Sequence, residues 1–81
     1  MREDAIKDAV FNVLGKIAPE ADLDSLAFDE DLRKALDIDS FDFLNVMIAL
    51  NEALGVEIPE SDYPKLETMT GMLNYLSSRL N

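Results

Sequence analysis

Residues 39–54, DSFDFLNVMIALNEAL, followed by Gly55, decide how this chain folds. Asp39 and Ser40 are residue types that open a helix, because a short side-chain oxygen accepts from the unpaired N–H groups of the first turn. Gly55 closes one, since it enters the left-handed conformation without steric cost. The intervening apolar residues occupy nearly the whole helix circumference. Phe41, Leu44 and Ile48 make one stripe, while Phe43, Val46, Met47, Leu50 and Leu54 make others. One small core cannot use that much apolar surface. If Val46, Met47, Leu50 and Leu54 meet other helices, the stripe of Phe41, Leu44 and Ile48 faces outward as a candidate binding surface.

Working outward, residues 3–18 carry Ile6, Val10, Val13, Leu14 and Ile17 at helical spacing, and Pro19 ends that helix. From there to Asp39 runs a long connection with apolar anchors at Leu23, Leu26, Phe28, Leu32, Leu36 and Ile38. A connection of this length in a small domain is either functional or held down by such anchors. Beyond Gly55, Val56 to Pro59 is an extended turn. Residues 60–65 form at most a short helical turn, because Pro64 fits only the start of a helix. A last helix starts near Thr68, with Met69, Met72, Leu73, Leu76 and Leu80 recurring at helical spacing. The expected fold is all-α: a small antiparallel bundle of three long helices plus one short one, forming a single domain over residues 1–81.

At 81 residues the chain can enclose one small core but no deep active site. It has no cysteine and no histidine, so disulfides and the usual zinc sites are excluded. The net charge is −10, and residues 20–62 hold thirteen acids against two bases, Arg33 and Lys34. Nucleic acid is disfavoured as a partner, because each phosphate contact would begin with repulsion. The acidity fits either simple solvation or electrostatic docking onto basic patches of other proteins. No apolar run is long enough for stable membrane insertion, and Met1 is not followed by a signal segment. The expectation is a cytoplasmic monomer.

The acids of the connection do not make a calcium loop. With Asp22 at its first position, Ala27 falls where glycine is required and Arg33 where the terminal glutamate belongs. No metal site is expected. Self-contained catalysis is disfavoured as well: Ser40 has no histidine to activate it, and so small a domain has no walls to exclude water. No catalytic residue is assigned. Ser40 is then either a plain helix cap or a hydroxyl modified by another enzyme.

Its context favours modification. Glu30-Asp31-Leu32 leads into Leu36-Asp37-Ile38-Asp39-Ser40-Phe41-Asp42, then Leu50-Asn51-Glu52, and Glu57-Ile58-Pro59-Glu60 follows the helix stop. In this ordered set the sequence resembles the acyl carrier proteins, with their acidic-Leu loop, Asp-Ser-Leu-Asp helix start and Glu-Ile-Pro turn. The resemblance covers essentially the whole chain. It implies a freestanding carrier, not an enzyme, with a covalent 4'-phosphopantetheine arm on Ser40 and Asp39 as the neighbouring acid. The arm would come from coenzyme A through a phosphopantetheinyl transferase that uses magnesium only during modification. Acyl groups would ride on it as thioesters in fatty-acid or specialised lipid or secondary-metabolite biosynthesis.

The resemblance further implies docking of acyl-loading and acyl-processing enzymes with basic patches onto Phe41, Asp42, Leu44, Ile48 and Glu52. An acyl pocket would be lined by Phe43, Met47, Leu50, Met69 and Met72. Departures from the family pattern are Asp37 in place of a common glycine, Phe41 in place of leucine, and Phe43 in place of a small hydroxyl residue. Asn45, Asn51 and Ala53 also stand where glutamate is frequent. These departures point to a specialised acyl pathway. Alternative readings are a peptidyl or D-alanyl carrier, or an unmodified interaction module that keeps the carrier fold.

Overall fold

A computed structural model of the chain describes residues 2–80. Its three long helices are α1 (Glu3–Ile17), α3 (Ser40–Leu54) and α4 (Met69–Leu80), with the short helix α2 (Leu32–Ala35) between the first two. Two 3₁₀ segments, Leu23–Ser25 and Glu60–Leu66, complete the path. No strand occurs among the described residues; one isolated bridge joins Asp31 to Thr68. The chain is all-α, as its periodicity predicts.

The core forms where the apolar stripes converge. Helix α1 packs against both α3 and α4. It contributes Ile6, Val10, Val13 and Leu14, which meet Phe43, Val46, Met47 and Leu50 of α3 and Met69, Met72, Tyr75 and Leu76 of α4. No charged or polar residue is buried among the described residues. Burial of these side chains is the main favourable contribution to folding, at about 1.5–3 kcal/mol for each fully buried Val, Leu, Ile, Phe or Met.

The connection between α1 and α3 is more ordered than its sequence signals. Leu32 and Leu36 are buried, while Leu23, Leu26 and Ile38 pack against the core from its edge. Two backbone bonds tie the segment to the start of α4: the Leu32 N–H donates to the Glu67 carbonyl at 2.8 Å, and the Thr70 N–H donates to the Phe28 carbonyl at 3.0 Å. Lys7 lies 5.4 Å from the ring centres of both Phe11 and Phe28, covering part of the otherwise exposed Phe28. The connection is thus held down by its apolar anchors.

Helix α2 differs from the expectation of a helix-free connection. Four residues cannot nucleate alone, since the first turn fixes several dihedrals for a single hydrogen bond. This turn survives because Asp31 caps it, accepting from the Arg33 N–H at 2.9 Å, and because Leu32 is buried beneath it. The segment after the Glu-Ile-Pro turn also runs slightly further than expected, to Leu66. A 3₁₀ helix closes each turn over three residues, so the missing N–H of Pro64 costs one local bond, and the fully buried Leu66 anchors its end.

Candidate functional site

The site begins at the C-terminus of α2. The Ile38 N–H donates to the Arg33 carbonyl at 3.0 Å and the Asp37 N–H to the Lys34 carbonyl at 3.4 Å, with Asp37 at φ +54°. These two bonds around a left-handed residue form a Schellman motif, which satisfies the last carbonyls of a helix and reverses the chain. The reversal leads directly into Asp39, whose backbone is extended and whose Oδ1 accepts from the Asp42 N–H at 2.8 Å. Asp39 is therefore the N-cap of α3, and Ser40 is its first helical residue.

That placement frees the Ser40 hydroxyl. Ser40 is exposed, and its side chain makes no hydrogen bond among the described residues. The two candidate cap residues have divided the work: the carboxylate of Asp39 satisfies the helix end, while the hydroxyl faces solvent. Free N–H groups and the helix dipole favour an anion near this end, whereas Asp37, Asp39 and Asp42 crowd negative charge around it. With that charge around it, the helix end is not a preformed phosphate pocket.

From Ser40 the surface of α3 carries the outward stripe. Phe41, Leu44 and Ile48 are 69%, 39% and 49% exposed. Asp42 lies half-buried beside them and Glu52 is exposed one turn beyond Ile48. On the opposite face Val46, Met47 and Leu50 are buried, and Leu54 is partly buried at the edge of the core. Gly55 terminates the helix at φ +67°, its N–H donating to the Asn51 carbonyl at 2.8 Å, while the Asn51 side-chain amide donates to the Val56 carbonyl at 2.8 Å.

Phe43, Met47, Leu50, Met69 and Met72 are brought together in the core, all but Phe43 at most 1% exposed. Beside Ser40 lies a surface groove of about 250 Å³, lined by Arg33, Phe43, Leu44, Glu60, Tyr63, Pro64 and Glu67. None of the other four core residues lines it. Phe43 meets Tyr63 edge to face, with centroids 6.4 Å apart and rings at 88°. The Arg33 guanidinium stands 5.4 Å from the Phe43 ring centre. An aromatic pair of this geometry contributes about 0.5–1.5 kcal/mol beyond its buried area, and a cation over a ring in a partly exposed setting about 0.5–1 kcal/mol. Two carboxylates hold Arg33 in place, Glu67 at 3.5 Å and Asp31 at 3.8 Å.

Arg33 and Tyr63 were not singled out by their sequence. Arg33 is the only arginine in the acidic stretch 20–62, and that isolation was the available signal. Tyr63 carried none, because its partner Phe43 lies twenty positions away across the fold.

The groove wall formed by residues 60–67 is tied to α4 through Asp62. Its Oδ2 accepts from the Tyr75 hydroxyl at 2.6 Å and from Arg79 at 3.2 Å, and Lys65 lies 3.5 Å from its Oδ1. The Tyr75 hydrogen bond, aided by Lys65 and Arg79, holds the Asp62 carboxyl below its ordinary value. Desolvation, and then the bond to Asp62, raises the Tyr75 hydroxyl above its own. No group of acidic side chains among the described residues is arranged to hold a metal ion.

Comparison with known proteins identifies the family. The family model described as "Phosphopantetheine attachment site" matches residues 4–76. The chain is 31% identical to an acyl carrier protein of Lactobacillus johnsonii, over 93% of this chain and 98% of that one. It is 33% identical to an acyl carrier protein of Chlamydia muridarum, over 98% and 96% of the two chains. It is 35% identical to one of Thermosynechococcus vestitus, over 80% and 69%. The chain belongs to the acyl carrier protein family. Members of this family are carriers. No helix among the described residues is long and apolar enough to cross a membrane.

Proposed function

We propose that the chain carries acyl intermediates as thioesters on a 4'-phosphopantetheine arm attached to the Ser40 hydroxyl. The observation that carries this reading is the exposed, unbonded hydroxyl of Ser40 on the first turn of α3, freed because Asp39 takes the cap. It lies within the stretch matched by the phosphopantetheine attachment family. Once attached, the arm supplies the terminal thiol on which acyl groups are held.

The chain's own contribution is presentation. In the transfer, Ser40 Oγ bonds to the pantetheine-bearing phosphorus of coenzyme A and adenosine 3',5'-bisphosphate departs. A transferase provides the base and the magnesium, so Ser40 needs access and not activation. Asp39 fixes the backbone beneath Ser40. Asp37 and Asp42 offer negative charge to magnesium or to a basic transferase surface, and the stripe of Phe41, Leu44 and Ile48 gives partner enzymes an apolar contact with Asp42 and Glu52 at its margin. The relatives, named as acyl carriers, favour acyl over peptidyl or D-alanyl cargo. The substitutions at Asp37, Phe41, Phe43, Asn45, Asn51 and Ala53 fit a specialised acyl pathway better than bulk fatty-acid synthesis.

Incubation with coenzyme A, magnesium and a broad-specificity transferase, read by intact mass, tests the attachment. The expected result is one phosphopantetheine adduct on the native chain and none on Ser40→Ala. An adduct persisting in Ser40→Ala, or no adduct on the native chain, would overturn it.

A further inference from the structure

The groove beside Ser40 and the buried core share one side chain. Phe43 lines the groove and is also a member of the core, only 6% exposed. It therefore forms the wall between the attachment serine and the interior. A flexible chain anchored at Ser40 reaches the space among Met47, Leu50, Met69 and Met72 by displacing this ring.

The ring is fastened from two sides. Tyr63 presses against it edge to face and the Arg33 guanidinium covers it. Arg33 lies 3.5 Å from Glu67 and 3.8 Å from Asp31, and Tyr63 packs against the core from within the 3₁₀ helix that Asp62 ties to α4. The space behind the ring is filled: the four residues there are 0–1% exposed. Entry of an alkyl chain would thus break the aromatic pair, unstack Arg33 and open a closed interior. Outside, Phe43, Leu44, Tyr63 and Pro64 give the groove a mainly apolar lining in which a short alkyl chain finds contact, and its volume of about 250 Å³, shared with Glu60 and Glu67, limits how much of a longer chain it covers.

We propose that Phe43, clamped between Tyr63 and Arg33, is a closed gate that limits this carrier to short acyl cargo held outside the core. This rests on Ser40 bearing the arm, and the two can be separated experimentally. A broad-specificity transferase with octanoyl- or butanoyl-coenzyme A places the loaded arm in one step, and intact mass reports attachment before any thioester is measured. Absence of the adduct at Ser40 overturns both ideas together.

With the adduct present, thioester cleavage by hydroxylamine and Tm report sheltering. In the native chain, octanoyl thioester cleavage is expected within about twofold of that of octanoyl-coenzyme A, because water and nucleophile reach it freely. Tm is expected to be the same for the butanoyl and octanoyl forms. In Tyr63→Ala the released ring should let the octanoyl chain enter, slowing cleavage at least about fivefold and raising Tm over the butanoyl form. Phe43→Val removes the ring while keeping an apolar residue, and should do the same if Tyr63→Ala proves too unstable to load. Protection of about fivefold or more already in the native chain would overturn the gate. So would a lack of protection in the opened variants.

Discussion

At Asp37 the backbone sits at φ +54°, a conformation that costs a residue with a Cβ about 1–2 kcal/mol in general and less for the aspartate residue type. The Schellman turn at the end of α2 requires it, and glycine is the residue that meets the requirement best. Asp37→Gly relieves the strain but adds freedom to the unfolded chain, so a net stabilisation of about 0.5 kcal/mol is expected. Asp37→Ala keeps a Cβ at positive φ without the tolerance that aspartate has for this region, and should destabilise by about 1 kcal/mol. Urea denaturation of the two variants beside the native chain checks the sign; an unstable glycine variant would mean that the Asp37 carboxylate contributes more than its backbone strain costs. The sequence signal was present in the departure from the family's glycine. What it lacked was the location of a helix ending there, because α2 is too short to show periodicity.

At the level of elements, the long helices were legible and the junctions between them were not. Helices α1, α3 and α4 declare themselves through apolar spacing and through Pro19, Asp39, Gly55 and Thr68 at their ends. The contacts that fasten the 3₁₀ helix to its neighbours join residues of different periodic segments, which no local pattern reveals. Gly71 is one such junction. Thr68 caps α4 by accepting from the Gly71 N–H at 3.0 Å, and a Cβ on Gly71 would overlap the Lys65 carbonyl oxygen. Alanine normally gains about 1 kcal/mol over glycine inside a helix. Here the backbone of the preceding segment must shift, so Gly71→Ala is expected to lose about 1–3 kcal/mol in chemical denaturation.

The Tyr75–Asp62 bond is the second junction, and it makes a stability difference depend on pH. Asp62 has a lowered folded-state value, so its contribution is present above the unfolded value near 3.8 and is lost as pH falls through the folded one. Tyr75 is raised, so its contribution is present below the unfolded value near 10.0 and is lost as pH rises through the folded one. Tyr75→Phe should therefore lower Tm by a constant amount across neutral pH. The gap from the native chain should narrow below about pH 4 and again above about pH 10. A gap that is the same at pH 3 and pH 7 would show that the loss comes from packing and not from the hydrogen bond.

Taken as a whole, the molecule combines a net charge of −10 with one uncovered apolar stripe beside a free serine. Charge and apolar surface act at different stages of an encounter. The field of the acids accelerates approach of a basic partner over a distance set by salt, about 8 Å at physiological ionic strength. If a partner docks on the stripe of Phe41, Leu44 and Ile48, that surface contributes only after contact, through desolvation. The two contributions should separate kinetically in binding to a transferase with a basic surface. Asp42→Lys and Glu52→Lys are expected to slow association by about three- to tenfold at low salt, with the difference shrinking as salt is raised. Ile48→Ala, about two turns from Ser40, should leave association nearly unchanged and speed dissociation. Stopped-flow binding at two salt concentrations distinguishes them. Equal salt dependence for the charge reversals and the native chain would remove electrostatic steering and leave the acids as a solvating surface. Dissociation unchanged in Ile48→Ala would place the docking contact elsewhere on the molecule.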